Sequence, residues 1–296
     1  MNLKRFKKEF FYLRKAFVKY KIGWRYAYGK YLLAGKIYGQ RVIERPVNNK
    51  DLSIHVLAGS GDLTMLLWSL RSFYRQMSEI GQLYVHNDGT FTRKNFDLIK
   101  KHLPSAKIIQ PNDVLERLSD HKIIRKFRTR FPEYFLLKKI VDTFFISEAK
   151  MHLIIDSDLY WYRQPTEIER GIKNGAPDSL VMENSAPCYV YFKEGKAAEE
   201  KALVNSGIVL YNKSNFNLQK FSSYLEKIDT DNKKNWHFIE QAGFAYSLEN
   251  LKVLPRTRYV IKGNLSSETV ARHYTSPRRP LFYSEAIPFA IKSFSE

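Results

Sequence analysis

Cysteine is nearly absent, with Cys188 the only one in 296 residues. That excludes an internal disulfide and a cysteine-ligated zinc site, and it fits a reducing compartment. No apolar run reaches the roughly 20 residues that a membrane-spanning helix needs. The opening MNLKRFKKEFFYLRK is basic. It lacks the unbroken apolar stretch and small-residue cleavage site of a secretory signal, so the chain is expected in the cytoplasm. Acidic residues are scarce beside basic ones, 30 against 49, and the net charge is +19. Such an excess favours anionic partners: nucleic acid, anionic lipid or phosphate-bearing substrates.

What is present is unevenly spread. Residues 1–45 hold thirteen Lys and Arg against Glu9 and Glu44, a net +11, which leaves +8 for the other 251. Phe6, Phe10, Leu13 and Phe17 recur at helical spacing, with Lys7, Lys8, Lys15 and Lys19 mostly opposite. The pattern predicts an amphipathic helix, or two helices broken around Gly23. Basic faces with aromatic opposites read as interfacial anchors on an anionic membrane surface. Equally, the stripe could pack on the rest of the chain. Nucleic acid is the weaker partner, because no recognition motif accompanies the charge.

A polar linker, 45–51, separates this extension (1–50) from the rest (51–296). Strands are expected at 53–58, 82–86 and 106–109, with helices at 63–76 and 92–102 between and after them. That rhythm implies an α/β fold with a parallel sheet of βαβ units. Asp62 is the expected N-cap of the first of these helices. The Gly59-Ser60-Gly61-Asp62 loop follows a strand and opens a helix, the setting of nucleotide-binding loops. It matches neither G-x-G-x-x-G nor a P-loop. The basic run within 112–132 reads as a solvated face, and a further helix is expected over 133–148.

The central stretch is Met151-His152-Leu153-Ile154-Ile155-Asp156-Ser157-Asp158, a buried strand ending in two carboxylates. Open α/β sheets bind ligands at that strand edge, and paired carboxylates there suit Mg²⁺ or Mn²⁺ on phosphate oxygens. A surface turn with two solvated aspartates is the plain alternative. Asp156 and Asp158 are about 7 Å apart along extended chain, so both reach one ion only if the strand ends and turns there.

Together these segments resemble the GT-A fold sugar-nucleotide glycosyltransferases, in particular the clan of glycogenin and the lipopolysaccharide galactosyl- and glucosyltransferases. The likeness spans roughly residues 52–285. It rests on Ile54–Tyr74, on Val85-His86-Asn87-Asp88-Gly89-Thr90, on Lys139-Ile140-Val141-Asp142 and on Asp156-Ser157-Asp158. Asn205-Ser206-Gly207, Glu240-Gln241 and His273-Tyr274-Thr275-Ser276-Pro277-Arg278-Arg279-Pro280 complete it. The resemblance implies a GT-A-like, mostly parallel central sheet flanked by helices. It also implies a metal held by Asp156, Asp158 and His273. Ala58, Gly59, Asp62, Lys139, Ser157, Asn205, Ser206 and Arg279 would then contact the donor. Ser276 and Arg279 depart from the Gly and Lys of the family element, and Arg brings a forked geometry that Lys lacks.

The candidate catalytic residues are Glu240 and Gln241. Glu240 would be a general base in an inverting enzyme, a sugar-positioning group in a retaining one, or simply a helix residue. The expected activity is metal-dependent transfer of a sugar from a nucleotide diphosphate, UDP favoured, to a saccharide or lipid-linked acceptor, with retention. A histidine ligand favours Mn²⁺ over Mg²⁺. Two rival readings are a nucleotidyltransferase that makes sugar nucleotides and a non-catalytic binding protein that uses the basic arm. Tyr160, Trp161 and Tyr162, after the Asp pair, either stack on a sugar or seal the core.

Overall fold

The computed structural model describes residues 3–130, 134–184, 189–195 and 203–293. Cys188 and the expected helix start at position 133 lie outside these. The chain opens with α1 (Leu3–Arg14) and α2 (Gly23–Ala27), joined by a π-helical turn. Then β1 (Leu52–Ala58), α3 (Leu63–Gln76), β2 (Gln82–Asn87), α4 (Arg93–His102) and β3 (Lys107–Ile109) alternate as the apolar runs require. Thr92 opens α4 through a capping box with Asn95, which satisfies backbone N–H groups that a first helical turn leaves free.

Two helices, α5 (Lys122–Thr129) and α6 (Lys138–Ile146), precede β4 (Met151–Asp156), which turns at once into β5 (Leu159–Trp161). Next come α7 (Thr166–Lys173), β6 (Ser179–Glu183), β7 (Val204–Asn212), α8 (Leu218–Lys227) and α9 (Ile239–Ser247). The chain ends with β8 (Leu251–Val253), β9 (Tyr259–Val260), β10 (Ala271–His273), α10 (Arg279–Leu281) and α11 (Ile287–Lys292).

Seven strands form the main sheet in the order β3-β2-β1-β4-β7-β6-β8. β1 is parallel to β2 and β4, β2 to β3, and β6 to β8, while β7 runs antiparallel to its two neighbours. β4 and β7 are buried almost throughout because helices cover both sheet faces. A small second sheet, β5-β10-β9, stands beside the C-terminal edge of β4.

Of the two readings of the arm's aromatic stripe, packing on the rest of the chain is not what its phenylalanines do. Phe6, Phe10 and Phe17 face solvent, and Tyr12, Ala16 and Tyr26 form the buried side, packed with Tyr283. Farther on, Leu33, Ala34 and Ile37 enter the main core, where the Trp68 indole N–H donates to the Ala34 carbonyl at 2.9 Å. Small Ala16 and the amphipathic Tyr12 let the helix approach closely, which a phenylalanine face would not. The basic run departs from expectation at one residue. Arg128 is buried and forks onto Asp142 at 2.5 and 2.9 Å, because α5 packs that face toward α6. The expected helix over 133–148 resolves into a 3₁₀ turn, Phe135–Leu137, followed by the shorter α6.

Candidate active site

Asp156 is the last residue of β4, opposite Leu57 of β1, and the chain turns immediately after it. Asp158 sits in that turn before β5. This is the geometry two carboxylates need in order to converge, since a straight strand would hold them on one face but about 7 Å apart. The third group arrives through a pairing between distant residues. β10 runs antiparallel to β5 with His273 opposite Leu159, so its imidazole is carried beside the turn. His273 Nε2 lies 3.2 Å from Asp156 Oδ2 and 3.1 Å from Asp158 Oδ1. One ligand atom from each of the three lies within 4.8 Å of the others, the only such group of His, Cys, Asp or Glu among the described residues.

Behind the imidazole stands Asn205, inside β7. Its Oδ1 accepts from the Gly207 N–H at 3.0 Å and lies 2.9 Å from His273 Nδ1. An amide oxygen only accepts, so Nδ1 carries a hydrogen and Nε2 is the atom turned to the carboxylates. Gly207 makes room for this arrangement, since a Cβ there would overlap the His273 ring. Burial opposes a charge on His273, but Asp158 and Asp156 outweigh it and raise the imidazole pKa to about 9.

Lys139 and Arg279 flank the triad. Lys139, on α6, places Nζ 2.5 Å from Asp156 Oδ1 and 3.5 Å from Glu240 Oε1. It also donates to Ser206 Oγ at 3.2 Å. Burial disfavours its charge, yet Asp156 and Glu240 raise its pKa. Burial likewise disfavours the Asp156 anion, but Lys139 and His273 hold its pKa below the usual carboxylate range. Arg279 donates from Nε to Asp158 Oδ2 at 3.0 Å and from Nη1 to Asp62 Oδ1 at 2.6 Å. Both bases expected on a diphosphate therefore rest on carboxylates here, which lowers the cost of burying so many acids together.

Asp62 occupies the N-cap position of α3 without capping it through its side chain. The carboxylate is turned instead to Arg279, with Lys8 of the arm 3.8 Å away, because a charge-assisted fork outweighs a single N–H bond. Glu240 is buried at the start of α9, hydrogen-bonded by Ser206 Oγ. Its burial raises its pKa despite Lys139. Gln241 points elsewhere, accepting from Asn184 Nδ2 at 3.2 Å. Ala58 closes β1 and accepts from the Asp88 N–H at 3.0 Å. At Gly59 a side chain would meet the Asp88 carboxylate, so the two loops that follow β1 and β2 pack as a pair. Ser157 is buried between the aspartates.

Sequence reasoning missed two things: the tie from Asn205 to His273, and the ion-pair chain Lys8–Asp62–Arg279–Asp158. Only the Asn-Ser-Gly spelling signalled the first. Of the aromatic trio, Trp161 is core, edge-on to Phe73 with ring centres 5.5 Å apart.

No protein-family model matches the chain, and no curated protein matches it in sequence. Solved structures do resemble it. The apo structure of WbbM, a bifunctional glycosyltransferase, superposes with a TM-score of 0.52 at 12% identity, over 85% of this chain and 52% of that one. The chain thus spans about half the length of WbbM. Galactosyltransferase LgtC with donor and acceptor sugar analogues gives 0.48 at 13% identity, over 82% and 95% of the two chains. Mouse xyloside xylosyltransferase 1 gives 0.47 at 12%, over 77% and 98%. The chain has the GT-A fold.

Proposed function

We propose that this protein is a metal-dependent glycosyltransferase that moves a sugar from a nucleotide diphosphate, UDP favoured, to a saccharide or lipid-linked acceptor. The observation that carries the reading is the Asp156–Asp158–His273 triad at the carboxyl edge of β4 in a GT-A fold. Two hard oxygen donors and one imidazole fit a divalent ion, and the nitrogen donor favours Mn²⁺ over Mg²⁺. When bound, such an ion would neutralise charge developing on a departing diphosphate.

The chain's own groups would do the rest. Arg279 and Lys139 already sit on the triad's carboxylates, and an ion there would free their charge for diphosphate oxygens. Asn205 holds His273 in the metal-binding orientation. The paired loops at Ala58–Gly59 and Asp88 would receive the nucleoside, with Ser157 beneath the phosphates. Glu240, held by Ser206 and Lys139 in a buried pocket, would position the transferred sugar in a retaining reaction, while Gln241, turned to Asn184, would act only after reorienting. Residues 1–50 would dock the 51–296 transferase domain on an anionic membrane, in the cytoplasm, where cell-surface polysaccharides such as lipopolysaccharide are assembled. Support comes from the apolar exposure: eleven of the sixteen exposed large hydrophobics among the described residues lie between Phe6 and Val42. No helix among the described residues is long and apolar enough to cross a membrane.

Calorimetric titration of UDP, GDP and CDP with and without Mn²⁺ tests the reading. UDP is expected to bind more tightly with Mn²⁺, and Asp158→Asn to erase that gain. If no nucleotide responds to the metal, the proposal fails.

A further inference from the structure

Away from the triad, α3, the exit of β5 and α11 enclose a cavity of about 230 Å³. Its volume is below the ~300 Å³ at which drug-sized pockets begin, so it accommodates one ring rather than an extended ligand. Arg71 and Arg75 stand on its wall one helical turn apart on α3, with Gln76 beside them. Tyr160, Tyr162 and Phe289 supply the opposite, aromatic wall. Tyr162 and Phe289 meet edge-on with ring centres 4.9 Å apart, and Phe289 is 44% exposed.

The electrostatics of this wall are unbalanced. Like charges at i and i+4 on a helix repel. Arg75 donates to the Ser293 carbonyl at 2.8 Å, but among the described residues no carboxylate ion-pairs with it. Burial first, and Arg75 second, lower the pKa of Arg71. The same two arginines oppose the rise that burial imposes on Tyr160. An anion beside the two guanidinium groups would relieve the repulsion and meet the forked donors of Arg75. The facing rings suit the apolar C–H face of a pyranose, and Gln76 its hydroxyl rim.

We propose that this cavity is a second binding site, distinct from the metal triad, for a monosaccharide unit bearing a phosphate or carboxylate group. The unit would set its anion beside Arg71 and Arg75 and lay its ring on Tyr162 and Phe289. Backbone contacts connect the cavity to the triad. Tyr160 follows Asp158 by two residues, and Ser72 Oγ accepts the Trp161 N–H at 3.1 Å.

Calorimetry of the full chain, without nucleotide or metal, tests the proposal with glucose 6-phosphate, glucose and inorganic phosphate as probes. Glucose 6-phosphate is expected to bind at least tenfold more tightly than either of the others. Arg75→Glu, at an exposed position, should weaken it at least tenfold with thermal unfolding unchanged, and Phe289→Ala should weaken it more modestly. Asp158→Asn should leave it unaltered, which keeps this result separate from the fate of the transferase reading. The proposal is overturned if Arg75→Glu and Phe289→Ala bind like the parent, or if Asp158→Asn abolishes binding. Equal affinity for inorganic phosphate would also overturn it, by reducing the site to an adventitious anion contact. A glucose 6-phosphate-terminated oligosaccharide distinguishes the source: binding as tight as the free sugar phosphate assigns the site to a glycan end, and weaker binding assigns it to the free metabolite.

Discussion

Asn205 and Gly207 do more for the candidate metal site than their size suggests. Asn205 fixes which imidazole nitrogen of His273 faces the carboxylates, and Gly207 leaves space for the ring. Partners that orient a metal-binding histidine typically matter by 10–100-fold in metal affinity. Asn205→Leu, which keeps the bulk and removes the acceptor, should weaken Mn²⁺ binding by about that factor, measured by electron paramagnetic resonance titration. Asn205→Asp, which restores an acceptor, should recover most of it. Unchanged affinity in the leucine variant would end the orienting role. Gly207→Ala should have a similar effect, because its methyl group displaces the ring.

At the scale of elements, strands β2, β1, β4 and β7 carry a buried stack that the proposed chemistry does not use. Tyr84, His55, His152 and Tyr211 lie ring on ring, with centres 4.9 to 5.4 Å apart. His55 also shares a 2.9 Å hydrogen bond with His86, and Ser53 Oγ bridges His55 and His152. Burial keeps all three histidines neutral, with His86 and His152 lowered to about 3 and His55 well below its ordinary value. The unfolded chain takes up protons near pH 6.5 that the native state refuses. Stability from this stack is therefore complete above that pH and is lost as pH falls below it. Summed over three groups, the loss from pH 7.5 to 5.5 is on the order of 4 kcal/mol. His273, whose raised pKa favours the native state as pH falls, offsets part of this. Urea unfolding of the parent against His152→Phe at the two pH values therefore isolates the stack, and the variant should be less pH-sensitive by about a third of that loss. The arm offers a second test. A Cβ on Gly29 would overlap the Tyr283 carbonyl, so Gly29→Ala should loosen the π-helical turn Tyr28–Leu33 that follows α2, at a cost of about 1–3 kcal/mol. Faster limited proteolysis within the arm would show it.

For the whole molecule, the arm decides how the protein meets a surface. Deleting residues 1–45 would open the core at Leu33, Ala34 and Ile37, so substitution on the intact chain is the cleaner probe. Phe10, Phe17 and Trp24 are 61, 47 and 82% exposed. Changing all three to serine should lower sedimentation with phosphatidylserine vesicles at least tenfold and leave thermal unfolding nearly unaltered. Binding of the parent should also weaken with added salt, as screening of the basic residues requires.

The sequence by itself determined the alternating strands and helices and the buried strand that ends in Asp156 and Asp158, while His273 joined them only through the family resemblance. Those features are written in local apolar periodicity and in residue types that few other roles use together. It placed the arm in a helix but left open whether Phe6, Phe10 and Phe17 face outward or pack on the chain; the Tyr283 surface, which takes Tyr12 and small Ala16, decides that they face outward. Only the tertiary structure brought His273 to the Asp turn, since a three-residue antiparallel pairing between β5 and β10 has no local signature. The same holds for Arg279 on Asp62 and for the paired arginines facing Tyr162 and Phe289. Each depends on contacts between segments far apart in the chain, where packing geometry rather than local preference selects the partner.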